Sequence, residues 1–467
     1  MKIPENAIYI IKTLEEHGHE AYVVGGCVRD MMLGREPEDW DITTSAQPLQ
    51  VKALFRRTID TGIRHGTVTV MIGKEGYEVT TYRKDGDYED HRHPKEVLFT
   101  PDLIEDLQRR DFTINAMAYN PRTGLIDEYD GMGDLKRHCI RCVGEPEKRF
   151  EEDALRMLRG IRFAGQLQFE VEEATLRAIV KKAPTLVNVS AERIRTELTK
   201  LLLSRGSDRL MLAVETGLSR YFLPELDSML ATEQNNPHHC YDVGHHSLKV
   251  IRGVNRIRQE RDSEREHVIL VYAALLHDVA KPVCKTTDED GIDHFHGHPE
   301  LGEVKAKEIL RRLKFDNDTV ANVACLIRYH DRRHENCLID GVYSNKGKKA
   351  MRRLMSEAGE KVMPLLFDLQ QADLWAQSTY KQEEKLAKLA AGKRCYEEIV
   401  AADDPVTVKD LAIGGSDLIA WGMQPGPQLG EMLKRLLEVV LERPQDNTEQ
   451  ELKKLALTWM KQTDQNA

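Results

Sequence analysis

Two aspartates, Asp39 and Asp41, lie two residues apart in a β-like run, so both carboxylates project from one face of the predicted strand. Neighbouring carboxylates repel each other unless a cation lies between them, and oxygen ligands suit Mg²⁺. Asp-x-Asp alone is common, so a pair of solvent-facing turn aspartates is the alternative. Glu78 is a single acid in a run of β-branched residues and is the candidate third carboxylate on a neighbouring strand. Three acids around two metal ions form the arrangement of two-metal phosphoryl transfer.

A glycine pair precedes these acids. A strand-like run ends at Val24, and Gly25 and Gly26 then lead into a helical pattern that contains Arg29. Glycine lets backbone amides approach a ligand closely, and a helix N-terminus favours anions, so this turn can bind phosphate. Arg29 can reach the phosphate oxygens from the first turn of the helix. The alternative for the glycine pair alone is an ordinary strand–turn–helix corner. No G-x-x-x-x-G-K-[ST] occurs, which excludes a P-loop.

Asp153 and Arg156 are three residues apart on a predicted helix, which makes them neighbours on one face. An aspartate acceptor and an arginine donor fork complement the base edges of both cytosine and adenine. Guanine and uracil carry a carbonyl in place of the amino group, so they would face the aspartate acceptor to acceptor. Arg159 and Arg162 continue the spacing but drift around the helix. A surface ladder of salt bridges is the alternative for this segment.

A second group of residues with metal-binding side chains lies in the later half of the chain. Its members are His245, His246, His277, Asp278, His296, His298, His330, Asp331 and Asp373. An adjacent His-Asp pair at the end of an apolar run is unusual. Burial of both side chains would require partners, and a divalent metal ion supplies one.

The overall composition fits a soluble, globular protein. The chain has 467 residues, a formal charge of −10, eight cysteines, 41% hydrophobic and 31% charged residues. The longest uninterrupted apolar run, Val268 to Leu276, is about half of a membrane-spanning helix, so we expect no membrane association. The cysteines do not form a disulfide framework, and the reducing cytoplasm is the expected location. The net acidity argues weakly against a protein that coats nucleic acid non-specifically.

The pattern of apolar residues along the chain changes near residue 145. Short runs rich in Val, Ile, Thr and Tyr alternate with turns up to about Arg141, and from about Phe150 apolar residues follow helical spacing almost to the end. We therefore predict an α+β head with a mixed sheet, followed by an all-helical remainder. The predicted limits are 1–145 for the head, 146–234 for a helical neck, 235–375 for a third domain and 376–467 for a helical tail.

The motifs together resemble a known family. The runs Gly25-Gly26-x-Val28-Arg29-Asp30 and Asp39-x-Asp41 are similar to those of class II tRNA nucleotidyltransferases, which add CCA, and of bacterial poly(A) polymerases. Both groups belong to the polymerase-β-like nucleotidyltransferases. Two later segments, Gln108 to Ala116 and Glu151 to Phe163, match the family's sugar-contacting and base-selecting motifs in the expected order. The resemblance is continuous from about Tyr22 to Phe163.

This resemblance implies an activity and several site residues. It implies template-independent addition of CCA to tRNA from CTP and ATP, with Mg²⁺ at the acids. It places Arg110 and Asp111 near the ribose, and it places Arg159 and Arg162 against the nucleotide or its phosphates. The charged segment from Arg83 to Pro94 resembles the flexible loop of members that complete the terminal A. The tail resembles the region that grips the tRNA elbow.

The later histidines and aspartates resemble the HD phosphohydrolase superfamily. Matching residue by residue implies His246, His277, Asp278 and Asp373 as core ligands of a divalent transition metal, with His298 and His330 available for a second ion. The alternative is an HD fold retained as a scaffold without activity.

The sequence leaves three rival functions open. A poly(A) polymerase or an A-adding tRNA nucleotidyltransferase shares the same chemistry and base-selecting motif. An HD phosphohydrolase with a head that only binds nucleotide is a rival from another class. An RNA-binding protein without activity requires the Asp39/Asp41 pair to be dispensable. The sequence does not decide the oligomeric state, the metal or activity of the HD site, or how specificity switches from C to A.

Overall fold

The computed structural model describes residues 3–85, 97–258, 263–334, 337–339 and 342–464. It forms two compact units, the first comprising Met1–Ser228 with Arg312–Lys314 and the second comprising Met229–Arg311 with Phe315–Ala467. The first contains the predicted head and most of the predicted neck. The finer division into head, neck, HD domain and tail stays a prediction. Most of the predicted loop from Arg83 to Pro94 lies outside the described residues, because the description stops at residue 85.

The head is built on a mixed sheet, as predicted. Its strand order is β3-β4-β5-β2-β1-β8-β9; β2 and β5 run parallel, and every other neighbouring pair is antiparallel. The strands up to residue 171 are β1 Ala21–Val24, β2 Ile42–Thr44, β3 Thr58–Gly62, β4 Thr67–Ile72, β5 Glu75–Thr81, β6 Arg83–Asp85, β7 Val97–Phe99, β8 Ala118–Asn120, β9 Gly124–Ile126, β10 Cys139–Ile140 and β11 Glu170–Val171. The short β6 and β7 pair with each other, as do β10 and β11.

Helices pack on this sheet and then take over the chain. Those up to residue 230 are α1 Glu5–Glu16, α2 Gly26–Met32, α3 Pro48–Leu54, α4 Leu103–Gln108, α5 Gly131–Arg137, α6 Pro146–Glu152, α7 Leu155–Leu167, α8 Glu173–Lys182, α9 Ala191–Leu202, α10 Leu210–Glu215 and α11 Pro224–Leu230. The apolar side chains of β1 and α4 meet in one core cluster, which includes Tyr22, Val24, Leu103 and Leu107. This core holds α4 against β1 in the head.

The second unit is mainly helical. Its helices are α12 Val243–Arg258, α13 Glu264–Leu276, α14 Lys281–Cys284, α15 His298–Arg312, α16 Asn317–Tyr329, α17 Asn345–Ala358, α18 Met363–Ala376, α19 Gln382–Ala401, α20 Gly415–Ala420, α21 Pro427–Glu442 and α22 Glu449–Asp464. Two short hairpins join them, formed by β12 Thr286–Thr287 with β13 Asp293–His294 and by β14 Leu338–Ile339 with β15 Val342–Tyr343.

Helix α13 lies at the centre of the second unit. Every residue from Ile269 to Leu276 is buried, which is the pattern of a core helix that is apolar on all sides. The stretch Glu264–Cys284 is long and apolar enough to cross a membrane by composition, but an 18-residue window of it is 72% buried inside the protein. Its apolar character is therefore explained by packing against protein.

Two predictions about local structure need correction. The strand predicted from Trp40 to Thr43 begins only at Ile42, so Asp39 and Asp41 lie in the extended segment before β2. The predicted single helix through Asp153 and Arg156 is interrupted. Helix α6 ends at Glu152 and α7 begins at Leu155, and Asp153 has extended backbone angles between them. The Asp153 carboxylate accepts the Leu155 N–H at 3.1 Å, which favours a new helix start over continuation.

Candidate functional sites

The three predicted acids come together where the neighbouring strands β2 and β5 pair. Ile42 pairs with Val79 in the parallel register, and continuing that register by one residue sets Asp41 opposite Glu78. Ile42 and Val79 are buried, whereas Asp39, Asp41 and Glu78 are exposed on the other face. The pKa of Asp41 is raised, because desolvation and the negative charges of Glu78 and Asp39 outweigh the charge of Arg110. A cation relieves this repulsion, so the donor set fits Mg²⁺.

The glycine turn lies between two arginines. Gly25 has φ of 82°, which disfavours any residue with a side chain, and its N–H donates to the carbonyl of Met117 at 3.2 Å. A Cβ on Gly25 would lie 3.1 Å from Nη1 of Arg110, and a Cβ on Gly26 would lie 3.7 Å from Nη2 of Arg29. The absence of a side chain at Gly25 therefore lets Arg110 approach the backbone closely at the predicted phosphate site, whereas a Cβ on Gly26 would make only an ordinary contact with Arg29.

Both arginines are held by buried or half-buried polar partners. Arg29 binds Asp30 through two hydrogen bonds of 3.0 and 2.8 Å and donates to Oδ1 of Asn115 at 2.9 Å. Arg110 donates to Oδ2 of Asp106 at 3.4 Å, and Arg109 donates twice to Oδ1 of the same carboxylate at 3.1 and 2.9 Å. Arg29 is thus fixed by three short hydrogen bonds, whereas Arg110 is held by one long bond and by the charge of Asp106.

Asp106 is a positioning residue that the sequence analysis missed. It is fully buried on α4, and it also accepts the hydroxyl of Thr43 at 3.3 Å, next to the segment that carries Asp39 and Asp41. Burial alone would raise the pKa of Asp106, but the charges of Arg109 and Arg110 lower it. The available signal was spacing, because Asp106 precedes the two arginines by three and four residues on a helix.

The predicted base-selecting residues line one cavity of about 250 Å³. The residues around it are Arg109, Arg110, Asp111, Asp153, Arg156, Arg159 and Arg193. Asp153 and Arg156 reach this cavity from the helix break and from the first turn of α7. Each has a protein partner: Asp153 accepts from Arg193 at 3.2 and 2.7 Å, and Arg156 donates to Glu152 at 2.5 Å. Arg193, forty residues downstream, belongs to a basic run, Arg193 to Lys200, that the sequence suggested for contact with a phosphate backbone; its place beside Asp153 was not predicted.

Asp111 and Arg159 form an ion pair on the cavity wall. Arg159 Nε donates to Oδ2 of Asp111 at 2.9 Å, and Nη1 of Arg159 lies 3.4 Å from Glu197. Burial alone would raise the pKa of Asp111, but the charges of Arg159 and Arg156 lower it to about 2. The carboxylate therefore orients arginines as well as lining the site.

The structure does not bring Arg162 to this cavity. Its side chain is buried between α7 and α9, where Nε donates to Oε2 of Glu197 at 2.5 Å and Nη1 donates to Gln166 at 2.5 Å. The guanidinium carbon also lies 3.9 Å from the ring centre of Phe163. In this structure Arg162 joins two helices, and its expected role at the nucleotide has no geometric support.

The second unit brings the predicted HD residues together. His246 lies on α12, His277 and Asp278 follow α13, His298 begins α15, His330 follows α16, and Asp373 lies on α18. Ligand atoms of His246, His277 and Asp278 lie within 4.8 Å of one another, as do those of Asp278, His298 and His330. Nε2 of His246 is 2.8 Å from Asp373 and 3.8 Å from Asp278. Asp278 is therefore shared by two groups of candidate ligands.

The histidine rings are oriented by the backbone. Nδ1 of His277, His298 and His330 donates to a carbonyl three residues earlier in each case, at 2.9, 2.8 and 2.7 Å. Because a carbonyl only accepts, Nδ1 carries the proton and Nε2 is left for a second proton or a metal ion. The Nε2 atoms of His298 and His330 are 3.3 Å apart and lie 3.5 and 3.7 Å from Oδ1 of Asp278.

The polar atoms at the centre of this cluster lack hydrogen bonds of acceptable geometry. Among the described residues, neither carboxylate oxygen of Asp278 nor Nε2 of His277 has one, although all three atoms are buried. Burial alone would raise the pKa of Asp278, but the charges of His277 and Lys281 hold it well below its ordinary value. Nζ of Lys281 lies 2.8 Å from Oδ2 of Asp278 and supplies one positive charge. Buried polar atoms without a hydrogen bond are rare in proteins, and the carboxylate oxygens together with the Nε2 atoms form a ligand set that fits a divalent metal ion.

Three family models match separate parts of the chain. Residues 21–141 match the poly A polymerase head domain, and residues 168–230 match the probable RNA and SrmB-binding site of polymerase A. Residues 286–456 match the putative tRNA nucleotidyltransferase domain 2. The matches follow the order of the head, the helical region and the second unit.

Similar proteins include several named CCA-adding enzymes. That of Limosilactobacillus reuteri is 35% identical over 442 residues, which cover 94% of this chain and 92% of the relative. That of Lactobacillus gasseri is 50% identical over 214 residues, so the match spans 46% of this chain and only about half, 54%, of that relative. The crystal structure of the Bacillus stearothermophilus CCA-adding enzyme in complex with CTP matches all of both chains, with a TM-score of 0.72 and 29% identity.

Proposed function

The chain belongs to the family of CCA-adding enzymes, and we propose that it adds C, C and A to the 3′ ends of tRNA from CTP and ATP without a nucleic-acid template. One observation carries this proposal. Arg110 lies against Gly25, acts electrostatically on Asp41 and lines the cavity that contains Asp153 and Arg156. The acids, the phosphate turn and the base-reading residues thus share one neighbour, as a single nucleotide site requires.

The proposed reaction joins tRNA to a nucleoside monophosphate. The 3′ hydroxyl oxygen of tRNA forms a bond to the α-phosphorus, the bond from that phosphorus to the bridging oxygen of pyrophosphate breaks, and the hydroxyl proton is lost to water. Asp39, Asp41 and Glu78 would hold two Mg²⁺ ions, which activate the hydroxyl and neutralise the leaving pyrophosphate. Arg29 and Arg110 bind the triphosphate beside the glycine turn. The fixed position of Arg29 avoids reorganisation of this group during the reaction.

Base selection is proposed to rest on Asp153 and Arg156. The amino group of cytosine or adenine donates to Asp153, and Arg156 donates to the ring acceptors. Uracil and guanine place a carbonyl against the carboxylate, and the resulting unpaired acceptors oppose binding. The helical tail, residues 376–467, is proposed to contact the tRNA, and the cytoplasm is the proposed place of action.

A direct test uses tRNA that lacks its terminal CCA. The purified protein is incubated with this tRNA and each labelled nucleotide separately, and also with labelled ATP plus unlabelled CTP, with Asp41→Ala as the inactive control. We expect CTP to be incorporated alone and ATP to follow once two C residues are present. Incorporation of A without C would favour the poly(A) polymerase or A-adding alternative. Incorporation of neither would refute the proposal.

A second proposed activity belongs to the cluster in the second unit. The observation that favours it is the convergence of His246, His277, Asp278, His298 and His330 with unsatisfied central atoms. The cleft beside them has a volume of about 730 Å³ and is bordered by Lys281, Arg333, Lys381 and Lys385. Cationic groups beside a metal site suit an anionic substrate, so we propose a phosphomonoester or a 2′,3′-cyclic phosphate.

Two adjacent histidines provide a matched test of this second site. His246 is buried in the cluster, whereas His245 is partly exposed and binds Asp242 at 2.6 Å. Metal content after dialysis against Mn²⁺ and hydrolysis of p-nitrophenyl phosphate are measured for both alanine variants. We expect His246→Ala to lose metal and hydrolysis and His245→Ala to retain both. Equal behaviour of the two variants would contradict the site, and metal without hydrolysis in the wild type would favour an inactive scaffold.

A further inference from the structure

Arg193 holds the proposed base-reading carboxylate in a fixed plane. It lies on α9, and its Nη1 and Nη2 donate to Oδ1 and Oδ2 of Asp153 at 3.2 and 2.7 Å. A two-point contact between a planar guanidinium and a carboxylate fixes orientation as well as distance. Asp153 has no helix to constrain it, because it lies in the break between α6 and α7. The Arg193 contact therefore replaces the rigidity that a helix would have supplied.

The hydrogen bonds to Asp153 leave little accepting capacity. A carboxylate offers about four lone-pair positions, two on each oxygen. Oδ1 accepts from Arg193 and from the Leu155 N–H, and Oδ2 accepts from Arg193. Among the described residues, these contacts leave one accepting position, on Oδ2. Asp153 and Arg193 both line the cavity. The open accepting position on Oδ2 is therefore on a side chain that faces the proposed base site.

We propose that Arg193 is a specificity-determining positioning residue that keeps Asp153 as an acceptor with one open position. This inference rests on the proposed addition of C and A. A guanidinium has only donors, so both oxygens that it contacts must accept. The remaining position can then receive one N–H from an exocyclic amino group. It cannot donate to the carbonyl of uracil or guanine. Arg193 thus acts through Asp153 and sets which class of base edge is accepted.

A purely structural role explains the geometry less well. Asp153 and Arg193 are half-buried, with 18% and 27% side-chain exposure, and their side chains open onto the cavity. The helices α7 and α9 are already joined by Arg162 and Glu197, whose side chains are only 8% and 7% exposed. The junction of these helices therefore does not depend on Arg193 alone, and the Arg193 contact can serve to orient the Asp153 carboxylate at the cavity.

The test compares discrimination between nucleotides rather than activity alone. Single-turnover kcat/KM for CTP and for UTP is measured on tRNA lacking CCA with the wild type, Arg193→Ala, Arg193→Lys and Arg193→Gln. Arg177→Ala is the control, because Arg177 forms an exposed pair with Glu173 on α8. Thermal unfolding is followed for each protein, and the lysine and glutamine variants serve if the alanine variant does not fold.

We expect the UTP-to-CTP ratio of kcat/KM to rise by about tenfold or more in Arg193→Ala and Arg193→Gln, because a fixed acceptor has been lost. The same ratio should rise less in Arg193→Lys, because a lysine contacts the carboxylate through a single ammonium group. Arg177→Ala should have the ratio of the wild type. In an Asp153→Ala background, adding Arg193→Ala should change kcat/KM for CTP less than twofold. The inference would be overturned by an unchanged UTP-to-CTP ratio. It would also be overturned if the losses of kcat/KM for CTP in the two single variants multiplied in the double variant. A wild type that adds neither C nor A would instead refute the proposed function.

Discussion

Replacing Gly25 by alanine separates backbone strain from nucleotide binding, because the chain provides a matched control. Gly25 and Gly18 have nearly the same φ, 82° and 81°. A Cβ on Gly18 meets nothing within 4 Å, whereas a Cβ on Gly25 lies 3.1 Å from Nη1 of Arg110. Both substitutions therefore place an alanine at the same positive φ, and Gly25 adds further strain because its ψ of −131° lies outside the left-handed α region. Only Gly25→Ala pushes on the arginine that links the acids to the base cavity.

The two effects have different expected sizes. An alanine forced into the left-handed region costs about 1–2 kcal/mol, and restriction of the unfolded chain offsets about 0.4–1 kcal/mol of it. Gly18→Ala should thus lose up to about 1.5 kcal/mol of unfolding free energy, and Gly25→Ala should lose about 1–3 kcal/mol. The bond of Arg110 to Asp106 is already 3.4 Å long, so it resists displacement weakly. Loss of one charged hydrogen bond to a phosphate costs about 1.5–3 kcal/mol, or roughly 10- to 150-fold in kcat/KM.

Denaturant unfolding and single-turnover addition of C measure these two quantities separately. We expect both variants to unfold at a lower denaturant concentration than the wild type, with the larger decrease in Gly25→Ala. We expect only Gly25→Ala to lose at least about tenfold in kcat/KM for CTP. A Gly25→Ala enzyme within twofold of Gly18→Ala in kcat/KM would refute the reasoning, since Arg110 would then not act at the nucleotide through this turn.

Three other predictions follow from the charged groups. Asp41→Ala should reduce nucleotide addition by at least about 10²-fold and should not lower the unfolding midpoint, because it removes repulsion from Glu78; a variant that is active or destabilised contradicts this. The pKa of Asp111 is lowered to about 2, so its contribution of about 2 kcal/mol is present above its ordinary pKa and is lost as pH falls from about 4 towards 2. Asp111→Asn should therefore show a weaker fall in denaturant midpoint between pH 5 and 3, and an equal fall contradicts the pairing with Arg159. Saturating Mn²⁺ should raise the melting temperature of the wild type by about 5–10 °C but that of His298→Ala by clearly less, and equal shifts exclude His298 as a ligand.

The sequence predicts the head well where local patterns determine the structure. The run from Ala21 to Val24 forms a buried strand, and Gly25 takes the positive φ of a turn into a helix, as expected. The mixed sheet also follows from short strands separated by turns. The acids at Asp41 and Glu78 come together because adjacent strands place them in register. These features depend on neighbours in sequence or on simple strand pairing.

Partners that come from distant parts of the chain are not available from spacing. Asp153 pairs with Arg193 across forty residues, and its own side chain ends the predicted helix by binding the Leu155 N–H. Arg162 shows the limit of a spacing argument in another way. Six residues along α7, from Arg156 to Arg162, give a net rotation of about a third of a circle, so Arg162 points away from the cavity and binds Glu197 on α9. The pairing choices of arginines depend on tertiary packing that a linear pattern does not contain.

The most direct test of the central claim supplies all four nucleotides at equal concentration to wild-type protein and tRNA lacking CCA, and then sequences the 3′ ends of the products. The account predicts ends that finish in CCA, with C at the first two added positions, A at the third and no further extension. Runs of A, or U and G at these positions, would contradict the claim that Asp153 and Arg156 choose C and A in this cavity.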